Sequence, residues 1–343
     1  MYQNLHRIFL NVQVFGVNGQ RAAELTQNDI TILDGHQPRK IASFQSIRDD
    51  AARDPARIIL VLDAVNNSSS KVKHFRDEVE KYLESGNGLL AHPTSIALLS
   101  DSGIKLGIPS QDRAALLKDL NQLAGNLHTS ICADAPSGSE CVQLAPNVNS
   151  RACDPNPHLQ CLDHLFNSSV TSLTSLAQEQ VNNPGRVIVV WIGKGWPLLN
   201  EPGFTPDSPE VKGSFYSNLV TVSSALTEAQ VTLDTVAYSE VVPIGPKHIH
   251  DSLFFKGVSD ESHASAGSLS LQALAYQSGG LVLTSSKDIA GQIARCVADS
   301  ESYYSLAFDY PPAPQFGEYH SLEVKIDKPE ITVRTRTLYY AEQ

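Results

Sequence analysis

No apolar stretch of this sequence approaches the ~20 residues needed to cross a bilayer. The opening MYQNLHRIFL also lacks the apolar core of a signal peptide, so a leader is expected to be absent or removed ahead of residue 1. Cations are scarce and scattered: 26 Lys and Arg face 37 Asp and Glu, a formal charge of -11. Sequence-independent nucleic-acid binding rests on many clustered cations, so that class of partner is excluded. Catalytic signatures are missing as well. There is no Gly-x-Ser-x-Gly elbow, no Gly-x-x-x-x-Gly-Lys-Ser/Thr phosphate loop and no His-Glu-x-x-His. Gly193 and Gly195 are too few and too badly spaced for a dinucleotide cradle. Neither an internal repeat nor a low-complexity tract is present. What remains is a globular composition, 41% hydrophobic and 18% charged, in a 343-residue chain long enough for one large domain and a small one.

Cysteine is sparse but not random. Four of the five, Cys132, Cys141, Cys153 and Cys161, fall in one stretch rich in Pro, Asn, Ser and Asp. That stretch has little apolar material and would be loose without a staple. Two disulfides among the four are expected, with the connectivity open, and they imply an oxidising, extracytoplasmic compartment. A four-thiolate zinc site is disfavoured because Cys-x2–4-Cys knuckles are lacking. Cys296, inside an expected helix, reads as a buried small hydrophobe.

Hydrophobic periodicity divides the chain into three. Residues 1–50 alternate as strands (Leu5 to Phe15, Ile30 to Leu33, Lys40 to Ile47), with Asp34-Gly35 as a hairpin signal. Residues 56–300 alternate strands and helices. Strands are expected at Ile58–Leu62, Ser95–Ser100, Ile104–Ile108, Val187–Ile192, Val231–Ala237 and Gly280–Leu283. Helices are expected at Ser70–Ser85, Asp112–Leu123, His164–Val181, Ser214–Ala229, Ser268–Gln277 and Lys287–Ala298, with a Cys-rich insert at 125–163. This pattern predicts an α/β, doubly wound, mostly parallel six-stranded sheet. Residues 301–343 return to strands, at Tyr303–Tyr310, Tyr319–Ile326 and Ile331–Tyr340, and are expected to pair with 1–50 in a small β domain.

Two places gather chemistry. The run Ile58–Leu62 ends in Asp63, followed by Asn66, Asn67 and Ser68 to Ser70. A parallel strand ending in this way exposes its carboxylate at the carboxyl edge of a sheet, where open α/β folds bind ligands. The run Val187–Ile192 ends in Gly193-Lys194-Gly195, which brings Lys194 close to Asp63 if the strands are neighbours. The bland reading is that Asp63 caps the following turn while Lys194 faces solvent. Trp196, before Pro197, is a candidate exposed anchor for a partner, whereas Trp191 reads as core. The second place is the loop from Ser239 to Ser265. There His248, His250, Asp251 and His263 have the side chains of a transition-metal site, although loop histidines are more often plain polar surface.

The whole pattern resembles a von Willebrand factor A-type domain, more narrowly the VWFA-related family abundant in acidobacterial genomes. The likeness is carried by VNGQRAAELTQNDITILDGHQPRKIASF at the start, by the Asp63 block, SQDRAALLKDL and NPGRVIVVWIGKGWP in the middle, and by YYSLAFDYPPAP, GEYHSLEVKI and VRTRTLYYA at the end. It covers nearly the whole chain. The resemblance implies a strand order of 3-2-1-4-5-6, with only the hairpin strand antiparallel. It also implies an adhesion site in which an Asp-x-Ser-x-Ser loop, a Thr and a late Asp surround Mg²⁺ and capture an acidic group of a partner protein. This chain departs from that pattern. Asp63 is kept, Val65 and Asn67 stand at the two Ser positions, Lys194 stands at or beside the late Asp, and the Thr is Thr129 or Thr171. Val cannot ligate an ion and Lys only donates, so Mg²⁺ is a weak expectation and Lys194 is expected to replace it as counter-charge. The function implied is a non-catalytic protein-binding, adhesion-type module of the cell envelope or secreted space, without a cofactor or membrane span. The alternatives are a metal-dependent hydrolase using His248, His250 and His263, or a structural envelope component.

Overall fold

The computed structural model describes residues 6–16, 24–47, 56–124, 129–130, 132, 156–183, 185–197, 208–239, 255, 257–284, 286–328 and 330–343. Four strands come first: β1 (His6–Phe15), β2 (Ile30–Asp34), β3 (Gln37–Arg39) and β4 (Ile41–Ile47). Next come β5 (Arg57–Asp63), α1 (Ser69–Glu84), β6 (Thr94–Ser100), β7 (Gly103–Leu106), α2 (Arg113–Ala124) and α3 (Asn156–Gln180). They are followed by β8 (Val187–Ile192), α4 (Pro209–Glu228), β9 (Val231–Tyr238), α5 (Leu271–Gln277), β10 (Val282–Thr284) and α6 (Ile289–Asp299). The tail forms β11 (Tyr303–Tyr310), β12 (Glu318–Ile326), β13 (Thr332–Arg334) and β14 (Leu338–Ala341).

The fold is mixed α/β, with one six-stranded, mostly parallel sheet and two antiparallel sheets of four strands. In the large sheet the order is β10-β9-β8-β5-β6-β7, and among its paired neighbours only β6 and β7 run antiparallel. Strands β5 and β8 are apolar at nearly every position because both of their faces are covered. Ile58, Leu60 and Leu62 face a core shared with α1, α2 and α6, whereas Ile59 and Val61 face one shared with α3, α4 and α5.

Both small sheets mix strands from the two ends of the chain. The first runs β13-β1-β11-β4 and the second β14-β12-β2-β3. Leu10 and Val12 of β1, Ile32 of β2, Phe308 of β11 and Tyr339 of β14 meet in one apolar core between them.

The tail departs from expectation. Residues Ile331–Tyr340 alternate like one strand, yet they form two, in different sheets. The break lies at Thr335-Arg336-Thr337. The Arg336 guanidinium is buried and donates to the carbonyls of Leu226 (3.0 Å) and Val231 (2.9 Å), at the end of α4 and the start of β9. A cation inside a sheet ladder of the small core would lack acceptors, so the chain leaves the ladder to reach them. Helix α3 starts well before His164, at Asn156. Pro157 falls in its first turn, where a missing N–H costs nothing.

Candidate functional site at the carboxyl edge of the large sheet

Strand β5 delivers Asp63 at its last position, and the turn to α1 folds back over it. The Asp63 side chain is fully buried. Its Oδ1 accepts from the backbone N–H of Val65 (3.1 Å) and of Asn66 (2.9 Å). The Asn66 side-chain amide spans both carboxylate oxygens, at 3.1 and 2.9 Å, and also donates to Ser169 Oγ on α3 at 2.8 Å. The indole N–H of Trp191 on β8 donates to Oδ2 at 3.1 Å. Burial pushes the Asp63 carboxyl up, and the donors from Asn66, Trp191 and Val65 pull it back only in part.

Asn67 ties this turn to the neighbouring strand. Its Nδ2 donates to the Asp63 carbonyl (3.0 Å), while its Oδ1 accepts from the Lys194 backbone N–H (3.3 Å). Gly193 permits that approach: a Cβ there would lie 2.8 Å from Asn67 Nδ2 and 3.1 Å from Asp63 Cβ. At the rim, Ser69 Oγ meets Thr129 Oγ1 at 2.7 Å, and Ser130 N–H donates to the Ala64 carbonyl. Of the two threonines considered for the adhesion site, Thr129 lies at this edge, while Thr171 is an exposed residue of α3.

Several expectations are corrected here. Lys194 makes no ion pair with Asp63; neutral N–H donors compensate the carboxylate, and Lys194 joins the network through its main chain. Trp196 is not an exposed anchor. It is 4% exposed, packs edge-on against Trp191 with ring centroids 5.4 Å apart, and donates to the Leu269 carbonyl. Asn66 and Asn67 are likewise buried, and Ser68 is half-buried. The residue types announced polarity at a strand end, but only the packing of α3 and β8 could tell an inward amide from an outward one.

The donor set does not fit a divalent cation. A hard ion needs oxygen lone pairs directed at it, and both Asp63 oxygens already face N–H groups. Asn66 Oδ1 is buried without a hydrogen-bond partner, but one neutral oxygen does not replace a shell of six. The histidine cluster is not assembled among the described residues. His248, His250 and Asp251 lie outside them, and His263 pairs locally with Asp260 at 2.8 Å on the surface. No group of three His, Cys, Asp or Glu able to hold a metal occurs among the described residues.

Cys132 and Cys161 form a disulfide that closes a 29-residue separation onto the first turns of α3; Cys141 and Cys153 lie outside the described residues. Cys296 is a free, buried thiol on α6. No described helix is long and apolar enough to cross a membrane.

No family model matches the chain, and no curated protein matches it. Among solved structures it is similar to proximal thread matrix protein 1 of the mussel byssus, at 14% identity and a TM-score of 0.36 over 78% of this chain and 50% of that one. A second crystal form of that protein gives 12% identity and a TM-score of 0.33 over 75% and 49%. The chain thus spans about half the length of the thread matrix protein. It is also similar to the three N-terminal domains of the type V pili tip protein Mfa5 of Porphyromonas gingivalis, at 10% identity and a TM-score of 0.22 over 70% and 36%. Likenesses this remote leave the function to be argued from the site.

Proposed function

We propose that this chain is a non-catalytic protein-binding module of the cell envelope or secreted space. In this reading a von Willebrand A-type domain of the VWFA-related kind presents its carboxyl edge to a partner without a metal ion. Numbered along the chain, the strands of the large sheet lie in the order 3-2-1-4-5-6, with helices on both faces, which supports the A-type, doubly wound reading. The Cys132–Cys161 disulfide supports an oxidising compartment. The observation that carries the proposal is the Asp63 carboxylate, held where an A-type domain would keep its ion but bonded to Asn66, Val65 and Trp191. With that network buried, the partner meets the layer above it, Ser68 to Ser70 and Thr129. The paired β segments serve as base or spacer.

Calorimetric titration of the purified chain with Mg²⁺ and Mn²⁺ tests the reading. No saturable uptake is expected at millimolar ion. A protein partner retained in EDTA should be lost when Ser69→Arg blocks the rim. Stoichiometric ion binding that disappears with Asp63→Asn would overturn the proposal.

A further inference from the structure

At the opposite, amino edge of the large sheet lies a cavity of about 240 Å³. The first residues of β5 and β6, the end of β7 and the last turn of α3 enclose it. Ile59, Pro93, Leu106 and Pro109 make apolar walls. Two polar side chains, Arg57 and Ser95, line it as well. Arg57 donates to Gln180 Oε1 (3.1 Å) and the Asn183 carbonyl (3.2 Å), both neutral acceptors, and no carboxylate pairs with it among the described residues. Those bonds engage two of its five N–H groups. Burial pushes the Arg57 guanidinium down. Ser95, only 3% exposed, lines the same cavity.

We propose that this cavity binds an aliphatic carboxylate, with the anion on Arg57 and Ser95 and the alkyl part against Leu106, Pro93 and Pro109. An arginine held only by neutral dipoles, beside a serine hydroxyl lining the same cavity, is completed by an acceptor-only group such as a carboxylate. The apolar walls select an alkyl substituent over a second charge. The volume is below the ~300 Å³ at which drug-sized pockets begin, so the ligand is a short free acid or the last residue or two of a peptide chain. Glu179, exposed at the mouth, opposes an anion and sets a ceiling on affinity. The site is independent of the carboxyl-edge reading, because it shares no residue with the Asp63 network.

The test is a titration of the full chain, followed by ¹H–¹⁵N correlation spectra. The probes are acetate, butyrate and hexanoate, their primary amides, and short apolar peptides with free or amidated C-termini. Saturable shifts are expected at Arg57, Ser95, Leu106 and Gln180 with the acids alone, tightening with alkyl length. Tighter binding of free-acid peptides than of fatty acids identifies a chain terminus as the source, and the reverse identifies a small acid; either outcome supports the site. Ser95→Ala, which the strand tolerates, should weaken binding by about tenfold, and Arg57→Gln on the order of 100-fold. Glu179→Gln should tighten it. Equal shifts from acids and amides, shifts centred elsewhere, or no saturation by about 10 mM would overturn the assignment.

Discussion

Asn66 is the residue on which the candidate site turns. Its amide bridges both oxygens of a buried carboxylate and reaches Ser169 on α3. Asn66→Ala should therefore leave Asp63 short of donors in a dry environment and cost about 2–4 kcal/mol in denaturant melts. Lys194→Ala should cost under about 1 kcal/mol and add to Asp63→Asn, because no ion pair joins the two. A coupling energy well above that in a double-mutant cycle would restore Lys194 as counter-charge. Asp234 carries a different prediction. Burial pushes its carboxyl up to about 7, against a Leu281 N–H donor at 2.7 Å that lowers it, while nearby Asp299 adds to the rise. The folded state thus holds this proton more tightly than the unfolded chain. Its stabilising contribution is complete below about pH 4 and is lost as pH climbs through about 7, with an upper bound of about 4 kcal/mol. Asp234→Asn keeps an acceptor for Leu281 and should flatten the stability profile between those limits. An unchanged slope would count against the shift.

Among the elements, α3 has the most to hold it and the most to hold. The Cys132–Cys161 bond anchors its early turns, Ser169 touches the Asp63 network, and Gln180 at its end meets Arg57. Closing a loop of that separation is worth about 3–4 kcal/mol in the chain-entropy account. Replacing Cys132 and Cys161 with Ser should lower stability by up to that amount and loosen the amide of Ser130, which hydrogen exchange would register. Thiol titration of the denatured, unreduced chain should find Cys296 and no thiol from Cys132 or Cys161. Three reactive thiols would mean that Cys141 and Cys153 are unpaired. In the native state the Cys296 thiol, pushed well up by burial and by Asp234, should resist alkylation.

For the whole molecule, the pairing of the two chain ends is the long-range feature that matters most. β1 pairs with β11 and β13, and β2 pairs with β12, so neither end forms a complete sheet alone. Deleting residues 1–47 should strip both small sheets and expose Leu306, Phe308 and Val324. Dye binding, aggregation and loss of Tyr339 burial would follow. A tail that stays protected after the deletion would contradict this arrangement.

Periodicity alone located the strands of the large sheet to within a few residues and found each of its helices, though α3 and α4 begin earlier, at Asn156 and Pro209, than the expected His164 and Ser214. A strand covered on both faces must be apolar throughout, and an amphipathic helix must repeat near 3.6. It also marked Asp63, since a lone carboxylate after an apolar run has few roles. Cys132, Cys141, Cys153 and Cys161 announced a staple but not which pair would meet, because that choice depends on where α3 begins. The break at Arg336 was invisible for a similar reason. Alternation continues through it, and only the orphan carbonyls of Leu226 and Val231 explain why the chain turns away. Lys194 and Trp196 were misread because a sequence gives the order of groups along a strand end but not their direction. Direction is set by contacts between elements far apart in the chain: Gly193 against Asn67, Trp196 against Leu269, Asn66 against Ser169. Local pattern specifies which residues must be buried, and packing between distant segments decides which polar atoms they are buried with.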